Sequence, residues 1–341
     1  MGYIYTKSGK LAKRLYFGAV LLFEGLYYTF KNRVLADGGT FVENELPTIS
    51  QDASLVLTPN AYKAGKLYSA VPNDGTGDFI VERDSEATYT GQDGTRRTAL
   101  ANEIRLDWST GEAALLVEPQ STNLITYSEN LVGWRQRNVT SSQNLVTEDT
   151  SNTLHAVSQN LTLQPDTTLT LSFDIKPNGR DYVYVRYAGG GFEHSFNLDI
   201  LNGLVVSFDH FLSVTLKPIQ NGYYRVNSTT IVPSSTTSTT LYLFLSDSGD
   251  YLSRRNPIYI GDGVSGAYIS NVQLEQGTEA TSYIPTNGVT ETRLADNISL
   301  PTLAGVTSIT ETIDGVEQTP ITTIPTTYSL PVGNINKVTM L

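Results

Sequence analysis

Tyr182, Tyr184 and Arg186 recur at every second position of DYVYVRYA, and Tyr242 and Phe244 do the same in TLYLFLSD. In an extended chain alternate side chains share a face. Each run therefore sets flat rings on one side, the first beside a guanidinium. If the two runs are neighbouring strands, the rings form a platform on which the apolar face of a sugar could stack, with Arg186 as a hydrogen-bond donor. The same alternation describes a strand whose aromatic face is buried core, and the sequence leaves both readings open. Asp247-Ser248-Gly249-Asp250 follows directly. Two carboxylates around a glycine suit a calcium ligand set as well as an ordinary solvated turn.

Catalytic patterns are weaker. Glycoside hydrolysis needs two carboxyl groups across one cleft at a set separation. Glu193, Asp199, Asp209 and Asp247 lie on separate runs, none in an apolar setting that would raise its pKa. The three histidines, His155, His194 and His210, form no HxxxH or HExxH pair, and GxSxG is absent. Gly261-Asp262-Gly263-Val264-Ser265-Gly266 fits GxGxxG, but a dinucleotide site needs a helix after it, and the following AYISNVQL reads as a strand. The absence of cysteine excludes disulfides, thiolate nucleophiles and cysteine-based zinc sites. The expectation is a protein with no catalytic residue and no cofactor beyond a structural calcium ion.

With 23 basic against 34 acidic residues the chain carries a net charge of −11, and no basic patch for nucleic acid stands out. Arg96-Arg97 and Arg254-Arg255 are lone pairs beside turns. Leu15–Phe23 is apolar and follows Lys10, Lys13 and Arg14, faintly like a signal peptide. Glu24 ends it, and it is too short to span a bilayer as a helix. No membrane insertion is expected.

These residues need a scaffold, and β-branched and aromatic residues between frequent turn formers predict an all-β one. Residues 1–50 read as an N-terminal docking segment. Leu26, Phe30 and Val34 predict a short amphipathic helix over Gly25–Ala36 with a glycine cap after it, a candidate anchor to a partner. Residues 51–120 read as a small β segment in which Ile104, Leu106 and Trp108 alternate with charged residues, turning Trp108 inward. Residues 121–296 carry the clearest period-two rhythm. Leu169, Leu171, Phe173 and Ile175 face one way, and Asn202-Gly203 and Asn221-Gly222 give strong hairpin signals. This spacing predicts a jelly-roll β-sandwich. Residues 297–341, with prolines among Ile, Val and Leu, read as an extended C-terminal tail of edge strands.

Three phrases add a resemblance. DFIVERDSEATYTGQDG (78–94), LVEPQSTNLITYSENLVGW (116–134) and GAYISNVQLEQGTEATSYIPTNGVTETRLAD (266–296) resemble, in that order, the entry, first strand and closing strand of the carbohydrate-binding-module-like, concanavalin-type sandwich of bacteriophage virion appendage proteins. The resemblance implies a structural subunit of a fibre or decoration on the virion exterior. It implies attachment to other virion proteins through residues 1–50, a homotrimer, and contact with host-surface glycans. A glycan-binding receptor module and a capsule depolymerase are the alternative readings. Some relatives hold calcium with acids at both ends of the sandwich. By phrase position Glu129 matches the first acid, and Ser270-Asn271 matches the later pair, where Ser and Asn are poorer calcium ligands than carboxylates. Tyr283 and Pro285 are expected to pin the exit to the sandwich.

Overall fold

The computed structural model describes residues 20–43, 52–249 and 256–341, with residues 20–25 by backbone only. The basic stretch before residue 20, Asp250 and Arg254-Arg255 lie outside the described residues. No helix among the described residues is long and apolar enough to cross a membrane. The chain divides into two units, residues 1–119 with 295–341 and residues 120–294.

The first unit joins pieces that read separately in the sequence. Its helix runs Val20–Ala36, starting earlier than the periodicity predicts. It ends as the glycine signal requires. Gly38 takes a φ of 74°, its N–H donates to Leu35 O at 3.1 Å, and Gly39 N–H donates to Val34 O at 2.8 Å, a Schellman closure. Phe30 and Val34 are fully buried against Ala61, Tyr68 and Ala70 of the same unit. Arg33 in the last turn bonds both Asp78 oxygens at 2.7 and 3.0 Å, Asn73 Oδ1 at 2.9 Å and Ser69 O at 2.8 Å. Two of the three residues of the stripe expected to anchor a partner, Phe30 and Val34, are thus covered by the chain's own strands.

Beneath the helix lies an eleven-stranded antiparallel sheet. The last strand, Gly333–Met340, pairs with Ile309–Ile313 on one side and with Leu55–Lys63 on the other, so Met340 faces both Ile309 and Leu55. The tail therefore supplies an interior strand rather than only edges. Its prolines at 320, 325 and 331 fall between strands, where the missing N–H costs no ladder bond. Trp108 packs partly buried against this core, as the alternation predicts. Arg105 and Asp107, which a simple alternation would leave in solvent, are buried as well.

The second unit is an antiparallel sandwich. Its first sheet has the order Arg135–Arg137, His155–Thr162, Ser238–Ser246, Tyr182–Ala188, Ser195–Asp199, Leu204–Asp209. The second has the order Val139–Ser142, Leu145–Glu148, Gly266–Gln276, Thr168–Asn178, Tyr224–Ile231, Phe211–Pro218. Leu169, Leu171, Phe173 and Ile175 face Val157, Val183, Val185, Leu241 and Leu243 in one apolar core. Each strand hides one face in this layer and must turn the other outward, and the outward face of the first sheet carries the predicted aromatics.

Candidate functional site

The register brings the predicted aromatics together. Tyr184 lies opposite Phe244 and Arg186 opposite Tyr242. The Tyr184 and Phe244 rings are 5.7 Å apart, and Tyr242 stacks on Phe244 at 5.3 Å and 18°. The guanidinium of Arg137 stands 5.4 Å from the Tyr242 ring. Their neighbours Val183, Val185, Leu241, Leu243 and Leu245 belong to the interior, so this face is not the sandwich core. It is not an open platform either. Tyr184 and Phe244 are 0% and 1% exposed, in a small cluster with Ala156. Gly249 and Asn256 lie at this face. Asn256 Oδ1 accepts from Arg186 Nη1 at 2.8 Å, and a side chain at Gly249 would meet the Tyr182 ring. Tyr182, Tyr242 and Arg186 remain half-buried at its margin.

At that margin lies a cavity of about 560 Å³, lined by Arg186, Gly191, Glu193, His194 and His210. Ser195 pairs with Asp209, so the residues just before the one and just after the other become neighbours. The His194 and His210 rings stack at 5.0 Å, and His194 Nδ1 lies 2.6 Å from Thr230 Oγ1. Glu193 accepts from Arg186 Nη2 at 2.6 Å and from Gly189 N–H at 3.1 Å. Gly189, Gly190 and Gly191 all take positive φ, which lets the loop fold back beside the cavity without Cβ strain. Burial, and then the neighbouring His210, push the His194 pKa down to about 4. The cavity therefore offers a guanidinium, a carboxylate and two imidazoles to a polar ligand. In the sequence Glu193-His194 and His210 stand apart, and only strand register joins GFEH to FDHF.

The calcium candidates fall in two places. Glu129 is exposed in a turn, and Val272 N–H donates to Ser128 O at 2.9 Å, which brings the chain at Glu129 beside Asn271. Asn271 Nδ2 donates to Asp174, however, and Arg225 Nη1 donates to Asp174 at 3.0 Å and to Asn271 O at 3.2 Å. A guanidinium already supplies the positive charge there, so these residues do not fit a dication. Asp247 belongs to the other sheet's end, and its proposed co-ligand Asp250 lies outside the described residues. Among the described residues no three acidic or histidine side chains gather as a metal site.

The remaining candidates serve structure. Asp199 accepts Asn202 N–H at 2.9 Å and Asn202 Nδ2 at 2.8 Å. His155 is buried, 3.3 Å from Asp149 and against the Tyr259 ring. In the glycine-rich turn, Asp262 accepts the N–H groups of Val264 and Ser265, and a strand starts at Gly266. Burial alone would raise the carboxyl of Glu148, but Arg180, the Tyr259 hydroxyl and Asp262 N–H more than offset it and hold it below the ordinary value.

The three phrases that carry the resemblance converge in two buried polar clamps. In the first unit, Asp296 accepts Arg83 Nη1 at 2.7 Å, Glu118 N–H at 2.9 Å and Arg105 Nη2, while Glu118 accepts Arg105 Nη1 at 2.5 Å. Both arginines are fully buried. In the second unit Ser121–Asn123 pairs with Glu291–Arg293. There Asn123 uses its amide fourfold, donating to Val272 O and Ile284 O and accepting from Ile125 and Leu274 N–H. Glu275 takes Ser121 Oγ, Gln273 Nε2, Thr281 N–H and Thr281 Oγ1. Tyr283 is pinned as expected, its hydroxyl 2.5 Å from Ser128 Oγ. Pro285 is exposed, and buried Ile284 takes the pinning role beside Tyr283. The sequence showed these residues as a polar exit, since burial of Arg83 and Arg105 has no local signal.

No protein-family model and no curated protein matches the chain. Among solved structures it is similar to one described as "CBM4 structure and function", at 12% identity and TM-score 0.26, over 42% of this chain and 79% of that one. It is also similar to the tripod from the baseplate of bacteriophage Tuc2009, at 11% identity and TM-score 0.25, over 77% and 97%. Scores this low decide neither the fold nor the role of any residue here.

Proposed function

We propose that this chain is a structural subunit of a phage-particle appendage whose sandwich is displayed outward and takes part in host-surface attachment, with no catalytic step. The observation that carries this reading is the convergence of the appendage-like phrases into buried polar clamps. Their buried polar residues hold strands together. The attachment surface is the cavity of Arg186, Glu193, His194 and His210, whose polar groups suit a polar sugar.

Docking to the particle falls to residues 1–19, because Phe30 and Val34 of the helix stripe are already covered. The test is mass spectrometry and immunogold labelling of purified particles carrying the full chain or a deletion of residues 1–19. Loss of the deleted form from particles supports the assignment, and normal incorporation sinks it. A host-glycan array read with His210→Ala and Glu193→Gln tests the attachment surface. Release of reducing ends from host capsule would replace this reading with the depolymerase.

A further inference from the structure

The outward face of the second sheet carries an aromatic cluster that the sequence reading did not single out. Leu169, Leu171, Phe173 and Ile175 belong to the core, as do Ala267 and Ile269 of the strand beside them. Alternation therefore turns Lys176 and Tyr268 outward, and the register sets them opposite each other. On the other flank Ile175 lies opposite Tyr224, so one step further Lys176 stands beside Tyr223. The row reads Tyr223, Lys176, Tyr268. The Lys176 ammonium is 5.0 Å from the Tyr223 ring and 5.2 Å from the Tyr268 ring. The two rings lie 6.4 Å apart, tilted by 57°. Asn144 Nδ2 donates to the Tyr223 hydroxyl at 3.3 Å. All four side chains are half-buried, whereas Tyr184 and Phe244 of the first sheet are shut off from solvent.

Two rings hold an ammonium in place without neutralising it. A ring face attracts the charge, but the group still carries three N–H donors that call for acceptors. Lys176 has no hydrogen-bond or ion-pair partner among the described residues. In the next row Arg225 Nη1 donates to Asp174 at 3.0 Å. Lys217, opposite Arg225 on the outer strand, is exposed and likewise unpaired among the described residues. Two unneutralised ammonium groups on one face of a chain of net charge −11 mark where an anion is drawn. Thr168–Asn178 and Gly266–Gln276, which carry the row, are each paired on both sides. No open ladder is there for an extended peptide to join. Half-exposed tyrosine rings beside an amide instead offer a sugar apolar contact and hydrogen bonds together. A single ammonium at their centre matches one negative charge.

We propose that Lys176, Tyr223, Tyr268 and Asn144 bind a saccharide bearing a singly charged oxyanion, a uronate carboxylate or a phosphodiester, with the oxyanion on the Lys176 ammonium. This site shares no residue with the cavity of Arg186, Glu193, His194 and His210. The test is isothermal titration calorimetry on the full chain, with circular dichroism to confirm that each variant is folded. The probes are trigalacturonate, its neutral methyl ester, a glucose–glycerol phosphodiester and hexaglutamate. The wild type is expected to bind trigalacturonate or the phosphodiester with a Kd of about 1 mM or below, and the tighter of the two names the oxyanion. The methyl ester is expected to bind at least about tenfold more weakly than trigalacturonate if the carboxylate is the group held. Lys176→Met keeps the length of the side chain and removes its charge, and it is expected to weaken the favoured probe about tenfold. Tyr268→Leu is expected to weaken it as well. No binding of either charged saccharide at about 10 mM, or binding indifferent to Lys176→Met, would overturn the proposal. Tighter binding of hexaglutamate than of both saccharides would assign the face to acidic peptides and overturn it too. Loss in Glu193→Gln but not in Lys176→Met would move the ligand to the cavity, with the same consequence.

Discussion

Asp296→Asn is the sharpest test of the clamp. The Asp296 carboxylate is 3% exposed and faces two guanidinium groups that are fully buried. Its Oδ1 accepts Arg83 and its Oδ2 accepts both Arg105 and Glu118 N–H. Asparagine keeps one acceptor oxygen and turns an NH₂ toward donors, so at least one guanidinium faces another donor. Arg83 would retain Ser85 O and Leu100 O, and Arg105 would retain Glu118 and Thr88 O. Two buried positive charges would then share one carboxylate. Removing one partner of a buried pair costs about 3–5 kcal/mol. For a unit of this size each kcal/mol moves Tm by about 2–4 °C, which gives a fall of roughly 6–20 °C. Differential scanning calorimetry is the appropriate assay, because two units can melt separately. The change should appear in the transition of the unit formed by residues 1–119 and 295–341. Asp93→Asn is the control: its pair with Arg97 is about half exposed on both sides and should shift Tm by no more than about 2 °C. If Asp296→Asn behaves like Asp93→Asn, the argument from buried charge is wrong.

Other outcomes follow from the same geometry. Tyr184→Ala should destabilise the sandwich by about 3–5 kcal/mol in denaturant titration, because the ring is buried against Phe244; a stable variant that loses only glycan binding would return Tyr184 to the ligand surface. His194 should titrate by NMR with a midpoint near 4, since its neutral form is held by burial and by His210. The unfolded chain takes up that proton near 6.5 while the folded one does not, so stability is intact above 6.5 and falls as pH drops toward 4. His194→Gln should flatten the loss between pH 6.5 and 5, and a midpoint near 6.5 would refute the assignment. Gly266→Ala places a methyl 1.9 Å from Val146 O. It should cost about 1–3 kcal/mol or more, and an unchanged Tm would show that the two strands separate more easily than this contact implies.

Sequence alone determined what local rules control. Period-two runs and Asn-Gly turns located the strands around Leu169–Ile175, Tyr182–Ala188 and Gly266–Gln276. The Leu26/Phe30/Val34 spacing and the following glycines located the helix and its cap. These features follow from side-chain direction and backbone preference within a few residues. Tertiary structure decided what depends on pairing across the chain. Met340 against Leu55 makes an interior strand of an apparent edge. Ser195 against Asp209 builds a cavity from residues that seemed unrelated. Asp296 against Arg83 and Arg105 turns a polar exit into a buried clamp. A charged residue looks alike in sequence whether water or a counter-ion satisfies it, and only the fold brings the counter-ion.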